Sequence, residues 1–374
     1  MMTQPADGTL AWFEPALTAD IVSPALLVFP SRIEENIRRM ISLAGSAERL
    51  RPHVKTHKMS EIVRLKLRHN INKFKCSTLA EVEMVARCGG KDVMLAMQPT
   101  GPQISLLFQL QRHYPDSTIS VIADHEGVIR QLSAEAANNQ SIGVWLDINN
   151  GMDRTGVRTE KAPGLYHLIC NLPHVTPRGL HIYDGHIHDQ EIGQRIKVTE
   201  KDFEPVAGLI KSLTLAGLNV PSIVVGGTPT FPVHARHSGS EISPGTLILW
   251  DAGYSERFPD LDFLHAAVIM TRVVSLPDHD LVCLDLGHKA IAAEMPHPRV
   301  RLIGLNHPEF VNHSEEHLVI RLKDADRFKP GDIIYAIPWH ICPTVPRYPF
   351  AYAVEDHHIA GRWNIDARDR QVFV

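Results

Sequence analysis

The chain has 374 residues, 44% hydrophobic and 21% charged, which is more than one hydrophobic core usually organises and too apolar for long disordered tracts. Its 38 basic and 42 acidic residues leave a net charge of −4 with no dense basic run, which argues against nucleic acid or an anionic membrane as partner. No apolar run is long enough to span a bilayer, residues 1–11 lack a signal-peptide pattern, and five scattered cysteines fit a reducing, cytoplasmic setting better than a disulfide framework.

From Ser23 to Asp251, short apolar runs alternate with segments of helical period. The predicted strands are Ala25–Phe29, Leu50–Val54, Lys73–Cys76, Val93–Met97, Ile119–Ala123, Ile142–Ile148, Gly179–Tyr183, Ile223–Val225 and Leu247–Trp250. Between them, Val128, Ile129, Leu132 and Ala136 share one helical face, and Phe203, Val206, Ile210 and Leu213 share another. Continuous apolar strands joined by helices predict a parallel sheet covered on both faces, read here as an α/β, TIM-type (β/α)8 barrel with a doubly wound open sheet as the alternative. Nine candidate strands compete for eight barrel positions, so one lies outside the barrel or is no strand. After Arg257 the helices thin out. Ala266–Val274, Leu281–Leu286, Leu318–Leu322 and Ile333–Ile337 predict an all-β C-terminal domain with turns such as Pro330-Gly331-Asp332. The expected domains are therefore 23–256, and 257–374 together with the tail 1–22.

Four polar clusters follow predicted strands, where barrel active sites assemble. The first is Arg51-Pro52-His53-Val54-Lys55-Thr56-His57-Lys58. A lysine at the end of a buried strand, desolvated and flanked by cations, is competent to form an imine, whereas a basic surface turn is the plain alternative. In the second, Asp147 to Gly156, Arg154 is a fixed cation in a glycine-bounded turn, free to reach a ligand or to pair with Asp153 or Asp147. The third, His181-Ile182-Tyr183-Asp184-Gly185-His186-Ile187-His188, offers a phenol and imidazoles for proton transfer in a chain that holds 22 histidines. In the fourth, Gly226-Gly227-Thr228-Pro229-Thr230, two glycines let the backbone approach an anion and Thr228 adds a hydroxyl, although such a pair is often only a turn.

Together these stretches resemble the alanine racemase-like barrel family of pyridoxal phosphate enzymes (fold type III), and within it the branch of D-threonine aldolases and D-serine dehydratases. The resemblance rests most on Arg51–Lys58, then on Cys76–Glu83, Asp153–Gly156 and Gly226–Thr230, and it runs over nearly the whole chain. It implies that Lys55 carries the cofactor as a Schiff base and that Lys58 supports the phosphate or is structural. It also implies that His53, Arg154 and Tyr183 contact the cofactor and that Gly226, Gly227 and Thr228 bind its phosphate. His186 and His188 are the expected proton-transfer groups, and the small-molecule D-amino acid enzyme is expected as a homodimer.

His340 and Cys342 sit in one extended segment after Ile333–Ile337, where alternate residues point to the same side and can converge on one ion. Two ligands alone are a weak signal, but the resemblance implies a divalent metal at this pair. The thiolate favours zinc over manganese or magnesium. The Ser314–His317 cluster is expected to support it or to be a solvated acidic turn. The cofactor is expected to act as electron sink and the metal as Lewis acid on the substrate's β-hydroxyl oxygen. Retro-aldol cleavage of D-threonine type then gives glycine and an aldehyde. Dehydration of D-serine or D-3-hydroxyaspartate type gives a keto acid and ammonia. A racemase or a non-catalytic pyridoxal phosphate-binding protein is the remaining alternative.

Overall fold

The structure is a computed structural model that describes residues 10–374. In chain order, β1 (Ala25–Val28), α1 (Pro30–Ala44) and α2 (Ser60–Arg68) come first. Then strands and helices alternate: β2 (Lys73–Cys76), α3 (Leu79–Arg87), β3 (Asp92–Leu95), α4 (Pro102–His113), β4 (Thr118–Ala123), α5 (Glu126–Ala136), β5 (Ile142–Ile148), α6 (Ala162–Asn171), β6 (Val175–Ile182), α7 (Ile192–Leu215), β7 (Ile223–Val225), α8 (Phe231–His234) and β8 (Glu241–Ile242). After α9 (Ala252–Arg257) strands dominate: β9 (Ala267–Asp278), β10 (Leu281–Leu284), β11 (Val300–Leu302), β12 (Glu309–His313), β13 (Leu318–Arg321), β14 (Ile333–Pro338), β15 (Phe350–Glu355) and β16 (His358–Asn364).

The chain divides into two compact units. The α/β unit holds Arg38–Lys55, Ser60–Gly245 and Asp369–Val374; the β-rich unit holds the described residues up to Ile37, Thr56–Met59 and Thr246–Arg368. By contacts, the main division thus falls at 245/246, and residues 23–37 side with the β-rich unit.

The α/β unit is a curled parallel half-barrel of seven strands, β2 to β8, paired in chain order. Short apolar strands such as β4 and β5 are buried almost throughout, as a sheet covered by helices requires. Thr78 caps α3: its hydroxyl accepts from Glu81 N at 3.2 Å, while the Glu81 carboxylate accepts from Ser77 N at 2.6 Å, which fixes the turn after β2. The segment Leu50–Val54 forms no full strand. It makes single parallel bridges, Leu50 to Ile242 in β8 and His53 to Lys75 in β2, and so touches both edge strands.

Strand alternation sorts one face of this sheet into levels. Met94, Ile122, Trp145 and Val224 form an apolar cluster, and the Trp145 indole N–H donates to Ser120 Oγ at 3.0 Å. Toward the strands' N-terminal edge lies an ion network. The Arg51 guanidinium, fully buried, pairs with Glu241 at 2.6 Å and Asp92 at 2.8 Å. Lys73 joins Glu241 at 2.8 Å, and Arg178 joins Asp92 at 2.6 Å.

The β-rich unit holds a nine-stranded sheet. Its long strand β9 pairs with β1, β10 and β14, serving three partners along twelve residues. Phe13, Ile21, Leu27, Phe29, Val268, Met270, Tyr335 and Val354 share its core, so the described part of the N-terminal tail packs here, and residues 1–9 lie outside the described residues.

Three predicted strands fare differently from expectation. Ala25–Phe29 is a strand, but in the β-rich sheet, antiparallel to β9 and parallel to β15. Leu50–Val54 is reduced to bridges, and Leu247–Trp250 falls on a 3-10 turn, Thr246–Ile248. A four-residue buried apolar run looks the same in any sheet; only its partners tell which one it joins. The five cysteines are free, and among the described residues no helix is long and apolar enough to cross a membrane.

Candidate active site

Lys55 ends the bridging segment Leu50–Val54 at the C-terminal edge of the parallel sheet. The backbone turns there, and Lys55 N donates to His53 Nδ1 at 3.2 Å, so the expected cofactor-contacting His53 ring pins the lysine's own peptide. Tyr183 follows β6. Its ring gathers three cations: Arg154 at 4.9 Å, Lys75 at 5.3 Å and Lys55 at 5.9 Å from the centroid. Asp153, the partner offered by the plain reading of Arg154, instead meets Arg158 at 3.4 Å and Asn149 at 2.8 Å. Glycines make room for the ring. A Cβ on Gly185 would stand 2.3 Å from it and one on Gly227 3.0 Å.

Beside Tyr183, the register partners Asp147 and His181 are joined, Oδ1 to Nδ1, at 2.6 Å, and both are buried. The other imidazole nitrogen, Nε2, is buried without a hydrogen-bond partner. Burial first, then the charge of Lys75, push the His181 imidazole below its ordinary value. Burial first, then the charge of Lys55, push the Lys75 ammonium down to about 7.

The turn at Gly226–Thr230 is held from beneath. Gly226 has φ +77, and a Cβ there would stand 2.7 Å from the His234 ring. Asp184 accepts from Thr230 Oγ1 at 2.7 Å and meets His234 Nε2 at 2.6 Å. Gly226 N donates to Ile182 O, and Gly227 N donates to Thr230 Oγ1 at 3.2 Å. The Thr228 hydroxyl accepts from Gly245 N at 3.2 Å. A glycine cradle, an aromatic ring ringed by cations and a buried unpartnered imidazole nitrogen fit the aromatic, anionic cofactor that the sequence implies.

His186 Nε2 meets Asp202 Oδ2 of α7 at 2.9 Å, and His188 is exposed. In the β-rich unit, Lys58 Nζ donates to Ala367 O at 3.4 Å.

The expected metal pair lies in the β-rich unit, just after β14. Cys342 Sγ is 3.1 Å from Thr56 Oγ1 and 3.5 Å from Thr246 Oγ1, two hydroxyls able to donate to a thiolate. Thr56 follows Lys55 in the chain. His340 Nδ1 meets Glu294 Oε1 at 2.6 Å, and the same imidazole also bonds to Cys342; a carboxylate on one ring nitrogen is the arrangement that orients a metal-binding imidazole. Burial alone would push the His340 imidazole down. Cys342, Asp251 and Glu294 outweigh it and push it up to about 9. Asp251 ties the loop, accepting from Ile341 N at 3.0 Å and from Tyr254 N at 2.9 Å; burial pushes its carboxyl up to about 6. This nitrogen-and-sulfur donor set, with an oriented imidazole, fits a divalent ion. In the Ser314–His317 cluster the carboxylates pair with Lys289 instead, Glu315 at 2.6 Å and Glu316 at 3.0 Å.

Sequence reasoning missed Lys75, Asp147 as a partner of His181, Glu294 and Asp251. Lys73-Phe74-Lys75-Cys76 alternates cations with apolar residues, and nothing in that alternation marks Lys75 as buried where Lys73 is not. The carboxylate on His340 lies 46 positions away in the chain.

Comparison with known proteins gives the family and the fold. Residues 29–252 match the family model for the alanine racemase N-terminal domain, and residues 266–354 that for a putative serine dehydratase domain. A D-threonine aldolase of Arthrobacter sp. is 27% identical over 360 residues, covering 94% of this chain and 93% of the relative. A D-threo-3-hydroxyaspartate dehydratase of Delftia sp. is 24% identical over 373 residues, covering 93% and 97%. The crystal structure of D-threonine aldolase from Filomicrobium marinum superposes with a TM-score of 0.87 at 25% identity, covering 95% of this chain and 97% of that one.

Proposed function

We infer the function from one premise: the chain belongs to the alanine racemase N-terminal domain family. It is a lyase dependent on pyridoxal phosphate and a divalent metal, acting on D-β-hydroxy amino acids by retro-aldol cleavage of D-threonine type. The observation that carries the reading is the ring of Lys55, Arg154 and Lys75 around Tyr183, in a chain that also holds an oriented His340–Cys342 donor pair.

Pyridoxal phosphate supplies an electron sink at the substrate's α-carbon when bound. A divalent ion supplies a Lewis acid for the hydroxyl oxygen. The chain's own residues do the rest. Lys55 holds the cofactor, and Arg154 and Tyr183 orient its ring. Gly226 and Gly227 admit it closely, with Thr228 beside its phosphate. His340 and Cys342 hold the ion, Glu294 fixes the imidazole, and Thr56 and Thr246 donate to the sulfur. Leu50–Val54 is the stave that completes an eight-stranded barrel, and the protein works as a cytoplasmic homodimer. Zinc suits the sulfur ligand.

The second reading is a zinc-dependent dehydratase of D-serine or D-3-hydroxyaspartate, favoured by the cysteine in the pair. A D-threo-3-hydroxyaspartate dehydratase mutant is known in a metal-free form, which supports a metal in relatives of this fold. The test is to incubate metal-loaded holoprotein with D-threonine and D-serine and assay glycine, aldehyde and keto acid separately. Glycine with acetaldehyde supports the aldolase, and keto acid with ammonia the dehydratase. Turnover of L-threonine at an equal rate would overturn both. Cys342→Ala should lose metal and activity together while the protein stays yellow; a variant that keeps both shows the pair to be structural.

A further inference from the structure

Three cations face Tyr183, and the proposed reaction uses only Lys55 and Arg154. Lys75 is left over. Lys73, two residues earlier and on the same face of β2, pairs with Glu241 at 2.8 Å. Lys75 is 4% exposed, yet among the described residues it makes no ion pair. Its surroundings are specific. Lys55 approaches from the bridging segment, Arg154 from the turn after β5, and Asp147 from β5 itself. His181 lies on β6, Tyr183 and Asp184 just beyond it, and His53 is bridged to Lys75 directly. Both nearby carboxylates are engaged elsewhere: Asp147 with His181, Asp184 with Thr230 and His234. A buried ammonium without a counter-ion is costly, so such a lysine favours its neutral amine. Next to it His181 keeps a buried, unpartnered Nε2.

We propose that Lys75 is a second functional amine of this site, carrying the proton moved at the substrate, with the Asp147–His181 pair beside it as relay. The inference rests on the lyase reading above. The Lys75 amine takes the proton of the substrate's β-hydroxyl as the Cα–Cβ bond breaks to release the aldehyde, becomes an ammonium, and then gives that proton to Cα, which leaves as glycine. The step is balanced without any co-reactant. Lys55 is thereby free to hold the cofactor, and neither His186 nor His188 is needed as the base.

The test compares holoenzyme of the wild type with Lys75→Met, Lys75→Arg and Lys75→Ala. Lys75→Met should still carry pyridoxal phosphate on Lys55 and lose about a hundredfold or more in kcat, with KM within about threefold. Arginine, which does not release its proton, should not restore the rate. Lys75→Ala should regain activity with added methylamine or ethylamine, in proportion to the basicity of the amine. Wild-type activity in Lys75→Arg, or a kcat within threefold of wild type in Lys75→Met, would overturn the proposal. One readout needs no turnover: protonation of this amine as pH falls through about 7 should perturb the bound cofactor's absorption band, and that step should be missing in Lys75→Met and Lys75→Ala. An unchanged titration in Lys75→Met and Lys75→Ala overturns the proposal even if no D-amino acid is turned over, an outcome that would separately sink the lyase reading.

Discussion

The two edges of the parallel sheet are built from the same residue types and put them to opposite uses. At the N-terminal edge Arg51, Lys73 and Arg178 meet Asp92 and Glu241, and every one of these charges has a partner at 2.6 to 2.8 Å. At the C-terminal edge Lys55, Lys75 and Arg154 face an aromatic ring instead of carboxylates. The apolar cluster of Met94, Ile122, Trp145 and Val224 lies between them on the same face. Pairing is what separates the two. A charge saturated by its neighbours holds the fold, whereas one left short of a counter-ion keeps its free energy available for a ligand.

The largest effect expected from this contrast is at Lys55. Lys55→Ala should lose all detectable activity and the yellow colour, while its melting temperature without cofactor stays within a few degrees of wild type. Borohydride reduction of the wild type followed by peptide mapping should find the phosphopyridoxyl group on Lys55. Finding it on Lys58 would contradict the placement of that side chain on Ala367 O.

The opposite signature is expected at the other edge. Arg51→Met leaves two half-buried carboxylates without their main partner, though Lys73 and Arg178 remain beside them, and should cost about 3 kcal/mol or less in urea unfolding. The protein that remains folded should keep its kcat. The pH dependence follows from the same network. Burial alone would raise the Asp92 and Glu241 carboxyls, but Arg51 and the neighbouring cations outweigh it and hold both below their ordinary values of 3.8 and 4.5. Their folded values lie below the unfolded ones. The stabilisation they lend is therefore present above those ordinary values and is lost as pH falls through the lower folded values. Without Arg51 the folded values rise toward the ordinary ones, so the stability difference between wild type and Arg51→Met should be full above 3.8 and 4.5 and should narrow as pH falls through the lower folded values of the wild type. A difference that stays the same across that range would mean that these carboxylates do not stabilise the fold through Arg51.

Sequence showed the ends of this design better than its pairing. The octapeptide Arg51–Lys58 stands out as a motif, yet its members scatter. Arg51 enters the N-terminal network, His53 pins a peptide, Lys55 reaches Tyr183, and Lys58 is bonded in the β-rich unit. Most strands of the α/β unit are legible because both faces are covered, which leaves uninterrupted apolar runs such as Ile142–Ile148. The same property hides membership: Ala25–Val28 is as buried as any of them and belongs to the other sheet. The proposed metal pair, His340 and Cys342, is suggested by alternation in one segment together with the family resemblance, whereas Glu294 and Thr56, which contact it, come from distant parts of the chain. Local pattern carries burial, and the partner of a buried charge is a tertiary fact.

The smallest expected effect gives the sharpest form of the comparison, because it stays within one strand. Lys73 and Lys75 lie two residues apart in β2 on the same face. The Lys73 side chain is 31% exposed, and its partner Glu241 also receives Arg51 at 2.6 Å. Lys73→Met removes one ammonium and leaves the carboxylate paired, so no buried charge is orphaned. A partly exposed ion pair is worth little, and the loss should be about 1 kcal/mol or less. Activity should be unchanged, since Lys73 opens the strand at the edge away from Tyr183. Urea midpoints and kcat of Lys73→Met, measured beside Lys75→Met, decide the matter. A tenfold fall in kcat for Lys73→Met would show that charge anywhere along this strand tunes the site, and that pairing is not what divides the two edges.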